Sequence, residues 1–149
     1  MQINGTKTVQ LTQDQTYQLL TDPAVLTRAI PGVKQLTEIS KHRYEADLEI
    51  GVAGIKGRYK GDIRMTDVIE GQAFRLRITG EGPMGFLEAD VRISLQAQTS
   101  GTLISYAGDA TVGGTVAGVG QRVLSGVAKL LIGQFFNGIV KESASVRFS

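Results

Sequence analysis

Apolar and polar side chains alternate through the middle of this chain, from Val33 to Val112. Successive side chains of a β-strand point to opposite faces, so this pattern predicts strands that are dry on one face and solvated on the other. In the last alternating run, Ile104 and Tyr106 are expected to face inward. Besides a strand that begins at Val33, the predicted strands cover residues 42–50, 58–68, 73–79, 87–97 and 102–112.

Two short helices are predicted ahead of this alternating region. Thr12 followed by Gln15 forms the sequence pattern of a capping box, which marks a helix start. Asp22 is a good N-cap, and Pro23 suits the first helical position after it. The predicted elements are a first strand over residues 2–11 and helices over residues 13–20 and 23–29.

The last long segment, residues 115–141, has the period of an amphipathic helix. Thr115, which follows two glycines, is predicted to cap it. Polar residues and regularly placed glycines argue against a membrane span. Phe136 and Val140 fall near the polar side, where they are available to a membrane or a partner protein. The predicted apolar face consists of Ala117, Leu124, Val127, Ala128, Leu131, Phe135 and Ile139.

These elements predict an α+β fold in which helices cover one face of a sheet. The strands follow one another with short links, so they form an antiparallel meander of about seven strands, and their twist curls the sheet. The long C-terminal helix is expected to lie in the concave side of this sheet, and two short helices follow strand 1. A length of 149 residues suffices for one domain with a sizeable core, predicted to span residues 1–149.

Composition excludes several classes of function. The chain has no Cys and one His, which excludes disulfides, thiolate catalysis and a metal site made of several histidines. A formal net charge of +2 with no dense basic run gives no indication of nucleic acid binding. His42 is predicted to be a solvated residue at a hairpin end. The Gly-rich residues 51–57 lack the ending of a phosphate-binding loop and are predicted to be a hairpin turn.

Acidic and basic residues on the solvated strand faces have a structural explanation. The acids Glu45, Asp47 and Glu49 are expected to pair with basic residues of the next strand, of which the candidates are Arg58, Lys60 and Arg64. Arg75 and Arg77 are expected to pair with Glu88 and Asp90 in the same way. We therefore predict no metal site and no catalytic residue.

The remaining candidate site is the apolar interior, since a curved sheet around one helix is hard to fill completely. A partly hollow core is a natural pocket for an apolar ligand. The alternative is that aromatic side chains fill this space, and composition does not decide between the two. These aromatic residues are Tyr59, Phe74, Phe86, Tyr106 and Phe135.

Four stretches and one residue pair carry a family resemblance. They are residues 22–33 (DPAVLTRAIPGV), 51–61 (GVAGIKGRYKG), 80–95 (GEGPMGFLEADVRISL) and 102–124 (TLISYAGDATVGGTVAGVGQRVL), with the pair Phe135 and Phe136. These stretches resemble the CoxG family of carbon monoxide dehydrogenase subunits, and the likeness covers nearly the whole chain. The resemblance implies the START-like, helix-grip fold of the SRPBCC superfamily, which agrees with the predicted order of elements.

The resemblance implies an accessory protein rather than an enzyme. CoxG-like proteins are associated with aerobic molybdenum CO dehydrogenases and related hydroxylases. They are thought to help recruit the enzyme to the cytoplasmic membrane and to bind a lipophilic quinone for electron hand-off. For this chain the resemblance implies a cytoplasmic location, peripheral on the inner face of the membrane, with no cofactor apart from a quinone bound as ligand. Many members continue into a C-terminal tail that tethers them to the membrane, whereas this sequence stops at Ser149.

Three hypotheses of function follow. The first is a non-enzymatic carrier of an isoprenoid quinone or similar lipid, which serves a molybdenum hydroxylase. The second is an enzyme, because polyketide cyclases share the helix-grip fold, and the third is an assembly factor that binds a partner protein without ligand. In the first, Tyr59 and Tyr106 are candidates to donate a hydrogen bond to a quinone carbonyl. The predicted lining residues are Leu26, Ile30, Tyr59, Phe74, Leu76, Phe86, Leu87, Tyr106, Leu124, Val127, Leu131 and Phe135.

Overall fold

A computed structural model of the protein describes residues 1–52 and 54–147, and these form one seven-stranded antiparallel sheet with its helices. The spatial order of the strands is β1-β7-β6-β5-β4-β3-β2, so β2 to β7 are a meander and β1 pairs with β7. This confirms the predicted α+β architecture. The strands are β1 Gln2–Val9, β2 Val33–Ser40, β3 Arg43–Ile50, β4 Gly57–Ile69, β5 Ala73–Gly82, β6 Gly85–Gln98 and β7 Gly101–Gly113.

Two short helices connect β1 to β2, as the capping patterns predict. The Thr12 side chain accepts a hydrogen bond from the Gln15 backbone, and the Gln15 side chain accepts one from the Thr12 backbone. Asp22 caps the second helix by accepting from the Ala24 N–H at 2.9 Å. The helices are α1 Gln13–Leu20, α2 Pro23–Ala29 and α3 Gln121–Arg147, and a 3-10 segment, Thr115–Val119, precedes α3.

The start of the long helix differs from the prediction. Residues 115–119 form a 3-10 segment, and α3 begins only at Gln121. Gly114 has a φ of 81° and Gly120 a φ of 94°, and a helix cannot continue through a left-handed residue. The prediction that Thr115 caps the helix is therefore wrong, because Gly114 precedes the 3-10 segment and no side chain caps it.

The hydrophobic core lies between the sheet and the helices, where α1 and α2 meet the C-terminal part of α3. Ile104 of β7 and Ile139 of α3 are both 0% exposed, which places the middle of this core between those two elements. We call this region the closed half of the concave face. Its buried residues are Val9, Leu11, Tyr17, Leu19, Leu20, Val25, Ala29, Met65, Phe74, Ile93, Leu95, Ile104, Phe136 and Ile139.

Phe136 belongs to this core, which corrects its predicted place near the polar side of the helix. It is 7% exposed, and its ring stacks on Tyr106 with the centroids 5.2 Å apart. Because α3 packs against β1 as well as against α1 and α2, more than one side of the helix is covered. Val140 is 39% exposed, as predicted.

The outer face of the sheet carries the charged residues. Arg75 binds Asp90 of the neighbouring strand through two hydrogen bonds, which lower the pKa of that carboxyl. Lys60 lies directly opposite Asp47 and Arg58 opposite Glu49 on the next strand. Among the described residues, however, no ion pair within 4.0 Å joins the three acids of β3 to the basic residues of β4, which corrects the prediction; Glu49 pairs instead with Lys34 at 3.8 Å.

Candidate functional site

The other half of the concave face is less buried than the closed half. On β3 to β6, inward side chains near the closed half, such as Met65, Phe74 and Ile93, are buried. Inward side chains at the other end of the same strands are only half-buried. We call this region the open half; its half-buried residues on the sheet include Leu48, Tyr59, Ile63, Ile78, Leu87 and Ala89.

The register brings these residues into adjacent rows. Ile63 lies opposite Ile78, which lies opposite Ala89 on the next strand. Beside this row, Gly61 lies opposite Gly80, so two neighbouring strands have no side chain there. An inward row with small residues leaves room above the sheet. This room faces α3, where Val127 and Leu131 are also half-buried.

Three connections lie at the end of the open half: the 3-10 segment, the β5–β6 hairpin and the β3–β4 loop. The Val116 N–H donates to the Met84 carbonyl at 2.7 Å, which ties the 3-10 segment to the β5–β6 hairpin. The loop between β3 and β4 lies beside them, because a Cβ at Gly54 would touch Val119 and Val123. A ligand that enters from this end must pass between these connections.

Tyr59 fixes the β3–β4 loop from inside the site. Its hydroxyl donates a hydrogen bond to the Ile55 carbonyl at 2.5 Å, and burial raises its pKa. The Tyr59 hydroxyl therefore already donates its proton to a backbone carbonyl. It can donate to a ligand only if its hydrogen bond to Ile55 breaks. Tyr106, the other predicted donor, has no hydrogen-bond partner for its hydroxyl among the described residues.

The predicted lining residues separate into three groups. Tyr59, Leu87, Val127, Leu131 and, at the end of α2, Ile30 are half-buried, and Leu76 and Phe135, also half-buried, pack against the closed half. Leu26, Phe74 and Leu124 are buried, the first two in or beside the closed half. Tyr106 stacks on Phe136 and faces the groove between β1 and α3 described below.

Phe86 does not line the space, which corrects the prediction. Leu87 faces inward, and its neighbour in the strand must face outward. Phe86 is 44% exposed, and a Cβ at Gly113 would overlap its ring, so it packs over that glycine on the outer face. Because neighbouring residues of a strand face opposite sides, Phe86 and Leu87 cannot both face inward. The same alternation identifies Leu48, Ile63, Ile78 and Ala89, which the predicted set omits.

The inward positions of β3 to β6, all within the described part of the chain, hold no ionisable side chain except the tyrosines. Among the described residues, no three of His, Cys, Asp or Glu are placed to hold a metal ion. His42 lies in the turn between β2 and β3 with a φ of 67°. The arrangement suits the binding of an apolar molecule, because it offers apolar surface and no converging acid and base.

Two depressions are found beside the core. One, of about 830 Å³, lies at the ends of β2 to β5; charged residues of both signs line it, together with Leu48 and Tyr59 of the open half. The other, of about 420 Å³, lies between β1 and α3, and we call it the β1–α3 groove. Its lining includes Ile3, Lys7, Tyr106, Lys129, Ile132, Gly133 and Phe136.

The helix α3 carries apolar side chains that the core does not bury. Residues Gln121–Ser145 are long and apolar enough to cross a membrane by composition, with a mean hydropathy of 1.5, although the polar residues and glycines of this segment argued against a span. Core helices of globular folds meet the same criterion, so this assigns no span. In the 18-residue window that meets this criterion only 17% is buried, and Val123 and Leu130 are 45% and 46% exposed.

Solved structures with this fold come from several bacteria. A conserved protein from Geobacillus kaustophilus is similar to this chain with 40% identity and a TM-score of 0.94, over 97% of this chain and 96% of that one. A START superfamily protein from Mycobacterium smegmatis is similar in fold, with 12% identity, a TM-score of 0.79 and coverage of 97% and 98%. A comparison with curated proteins gives no match.

The family model for CoxG, a subunit of carbon monoxide dehydrogenase, matches residues 5–144. That match covers most of the chain, and the START-like neighbour has the same arrangement of a curved sheet around a long helix. The sequence motifs, the fold and the open apolar half agree with one another. The chain therefore belongs to the CoxG family.

Proposed function

We propose that this protein is a non-enzymatic carrier of an isoprenoid quinone or a similar lipid. It would serve a molybdenum hydroxylase of the CO dehydrogenase type, either in membrane recruitment or in electron hand-off. The observation that carries this proposal is the open half, in which neighbouring strands present half-buried apolar side chains toward α3. The family supports an accessory role with a CO dehydrogenase system.

Hydrophobic burial supplies the affinity in this proposal. Each Å² of apolar surface removed from water contributes about 25 cal/mol before the costs of ordering the ligand. Ile63, Ile78 and Leu87 offer such surface on the sheet, and Leu131 offers it on the helix. Since the inward positions of β3 to β6 hold no charge, an uncharged ligand is favoured over an ion.

The exposed side of α3 supports a contact with the membrane. Val123 and Leu130 lie seven residues apart on the helix and are exposed, with Arg122 and Lys129 beside them. An apolar stripe flanked by basic residues suits the interface of an anionic bilayer. Val119 and Val123 also adjoin the β3–β4 loop, so this surface reaches the end of the open half.

The test uses a matched pair of substitutions on α3. Leu131→Trp places a bulky ring toward the open half, whereas Leu130→Trp places the same ring on the exposed side of the helix. We expect Leu131→Trp to abolish binding of a short-chain menaquinone analogue in a titration, and Leu130→Trp to bind it like the wild type. Equal binding by both variants would contradict this placement.

A ligand-free assembly factor predicts a different result. In that case a complex with hydroxylase subunits forms equally well with wild-type protein and with Leu131→Trp. A pull-down with both forms, each stripped of lipid beforehand, followed by an assay of quinone reduction by the complex, therefore separates the two functions. The carrier function predicts that the quinone-reducing activity of the complex is lost with Leu131→Trp even if the complex forms.

A further inference from the structure

We propose that the β1–α3 groove is a second ligand site, which binds the anionic head of a long-chain carboxylic acid. This site is separate from the open half, since it lies on the other flank of α3 against the first strand. Its volume of about 420 Å³ is in the range of small-molecule pockets. Nothing in the proposed carrier function requires it.

The charge of the groove points to an anion. Lys7 and Lys129 both line it, and no Asp or Glu is among its lining residues in the described part of the chain. Neither ammonium has a carboxylate within 4.0 Å among the described residues. Two cations in a concave surface without a counter-charge raise the local concentration of anions.

Lys7 is in an unusual position for a cation. It lies opposite Ile104 in the sheet, and Ile104 faces inward and is 0% exposed. The alternation along β1 therefore puts Lys7 on the concave face, where it is half-buried. A carboxylate beside the Lys7 ammonium would give this cation a charge-assisted hydrogen bond.

The floor of the groove is apolar and aromatic. Ile3, Ile132 and Phe136 line it, and the Tyr106 ring stacks on Phe136 at a centroid distance of 5.2 Å. The Tyr106 ring also lies over Gly5, where a Cβ would overlap it. This floor suits an acyl chain, and the Tyr106 hydroxyl adds a donor for the head group.

These features together select an amphipathic anion rather than a neutral lipid or a small inorganic ion. A neutral quinone would leave both ammonium groups unpaired, and inorganic phosphate would leave the apolar floor in water. A carboxylate on a long chain satisfies both parts of the groove. Charge-assisted hydrogen bonds of this type are stronger than those between neutral groups.

The experiment measures the fluorescence of cis-parinaric acid and of its methyl ester on binding to the full chain. We expect the acid to bind at least about tenfold more tightly than the ester, because only the acid forms charge-assisted hydrogen bonds. Lys7→Met should remove this preference, whereas Lys34→Met, at an exposed lysine outside the groove, should retain it. Equal affinity for acid and ester in the wild type would overturn the proposal.

Two glycines of α3 provide the test of location. Gly133 lines the groove and Gly126 does not, yet a Cβ at either has no atom within 4 Å, so both tolerate a larger residue. We expect Gly133→Phe to block the acid and Gly126→Phe to leave it bound. Binding that survives Gly133→Phe but is lost with Leu131→Trp would place the probe in the open half and overturn the site.

A second measurement, sedimentation with phosphatidylglycerol vesicles, shows whether the bound anion is a free acid or the head group of a membrane lipid. Acid binding without Lys7-dependent sedimentation on vesicles identifies a free long-chain acid as the ligand. Sedimentation that needs Lys7, with no binding of the acid, identifies a lipid head group and contradicts the free acid. Failure of quinone binding in the open half would leave each of these results unchanged, so the two proposals fail separately.

Discussion

The closed and open halves of the concave face use the same strands in different ways. In the closed half, Phe74, Ile93 and Ile104 are buried beneath α1 and the C-terminal part of α3. In the open half, Ile63, Ile78 and Leu87 come from the same or adjacent strands and stay half-buried. Stability is thus concentrated at one end of the sheet, and the other end keeps apolar surface available.

The largest expected effect is a difference in stability between two matched isoleucines. Ile104→Ala in the closed half should lower the free energy of unfolding by about 2–5 kcal/mol, because it opens a cavity in a packed core. Ile78→Ala in the open half should cost about 1 kcal/mol, since that side chain already touches unfilled space. Urea denaturation of both variants measures this difference, and equal costs would remove the distinction between the halves.

Two glycines of α3 differ in how closely other residues pack against them, so substitutions there should change stability in opposite directions. A Cβ at Gly138 would approach the Ala29 Cα to 2.9 Å, so Gly138→Ala should destabilise the protein by about 1–3 kcal/mol through overpacking. At Gly126 nothing lies within 4 Å, and Gly126→Ala should stabilise it by up to about 1 kcal/mol through helix propensity. Urea midpoints that shift in the same direction for both variants would contradict the close packing of α2 on α3.

The cap of α1 tests how firmly the closed half is covered. Thr12→Ala removes the hydrogen bond to the Gln15 backbone and should cost about 1 kcal/mol. Hydrogen exchange should then speed up in α1, whereas the amides of β3 and β4 keep their rates. An increase in both regions would show that the two halves open together.

The smallest expected effect concerns an ion pair at the edge of the closed half. Glu142 accepts hydrogen bonds from Arg28 at 2.7 and 3.1 Å, which lowers the pKa of the Glu142 carboxyl. A carboxyl with a lowered pKa stabilises the fold fully above its unfolded pKa, and the contribution is lost as pH falls through the folded pKa. The melting temperatures of wild type and Glu142→Gln should therefore differ slightly at neutral pH and converge in acid.

Local sequence signals predicted most of the fold. The bounds of α1 and α2 are confirmed, because Thr12, Asp22 and Pro23 define helix starts by local hydrogen bonds and backbone geometry. The strands are confirmed because a period of two is a strong signal. The start of α3 was missed, since the left-handed backbone at Gly120 is decided by the packing of the 3-10 segment on the sheet.

The site was less predictable than the fold. Phe86 was placed inward although Leu87 beside it already faced inward, so strand alternation, a local signal, would have placed Phe86 outward. Phe136 was placed near the polar side because helix periodicity does not show that β1 also covers α3. The half-burial of Ile63 and Ile78 depends on where α3 crosses the sheet, and that position cannot be predicted from a local sequence pattern.

The most direct test of the central claim is organic extraction of the purified protein after incubation with membranes from its own host, followed by mass spectrometry. The carrier function predicts an isoprenoid quinone or similar lipid at about one molecule per chain, and its loss in Leu131→Trp. A well-folded wild-type protein that carries no such lipid would contradict the carrier function and favour the assembly factor.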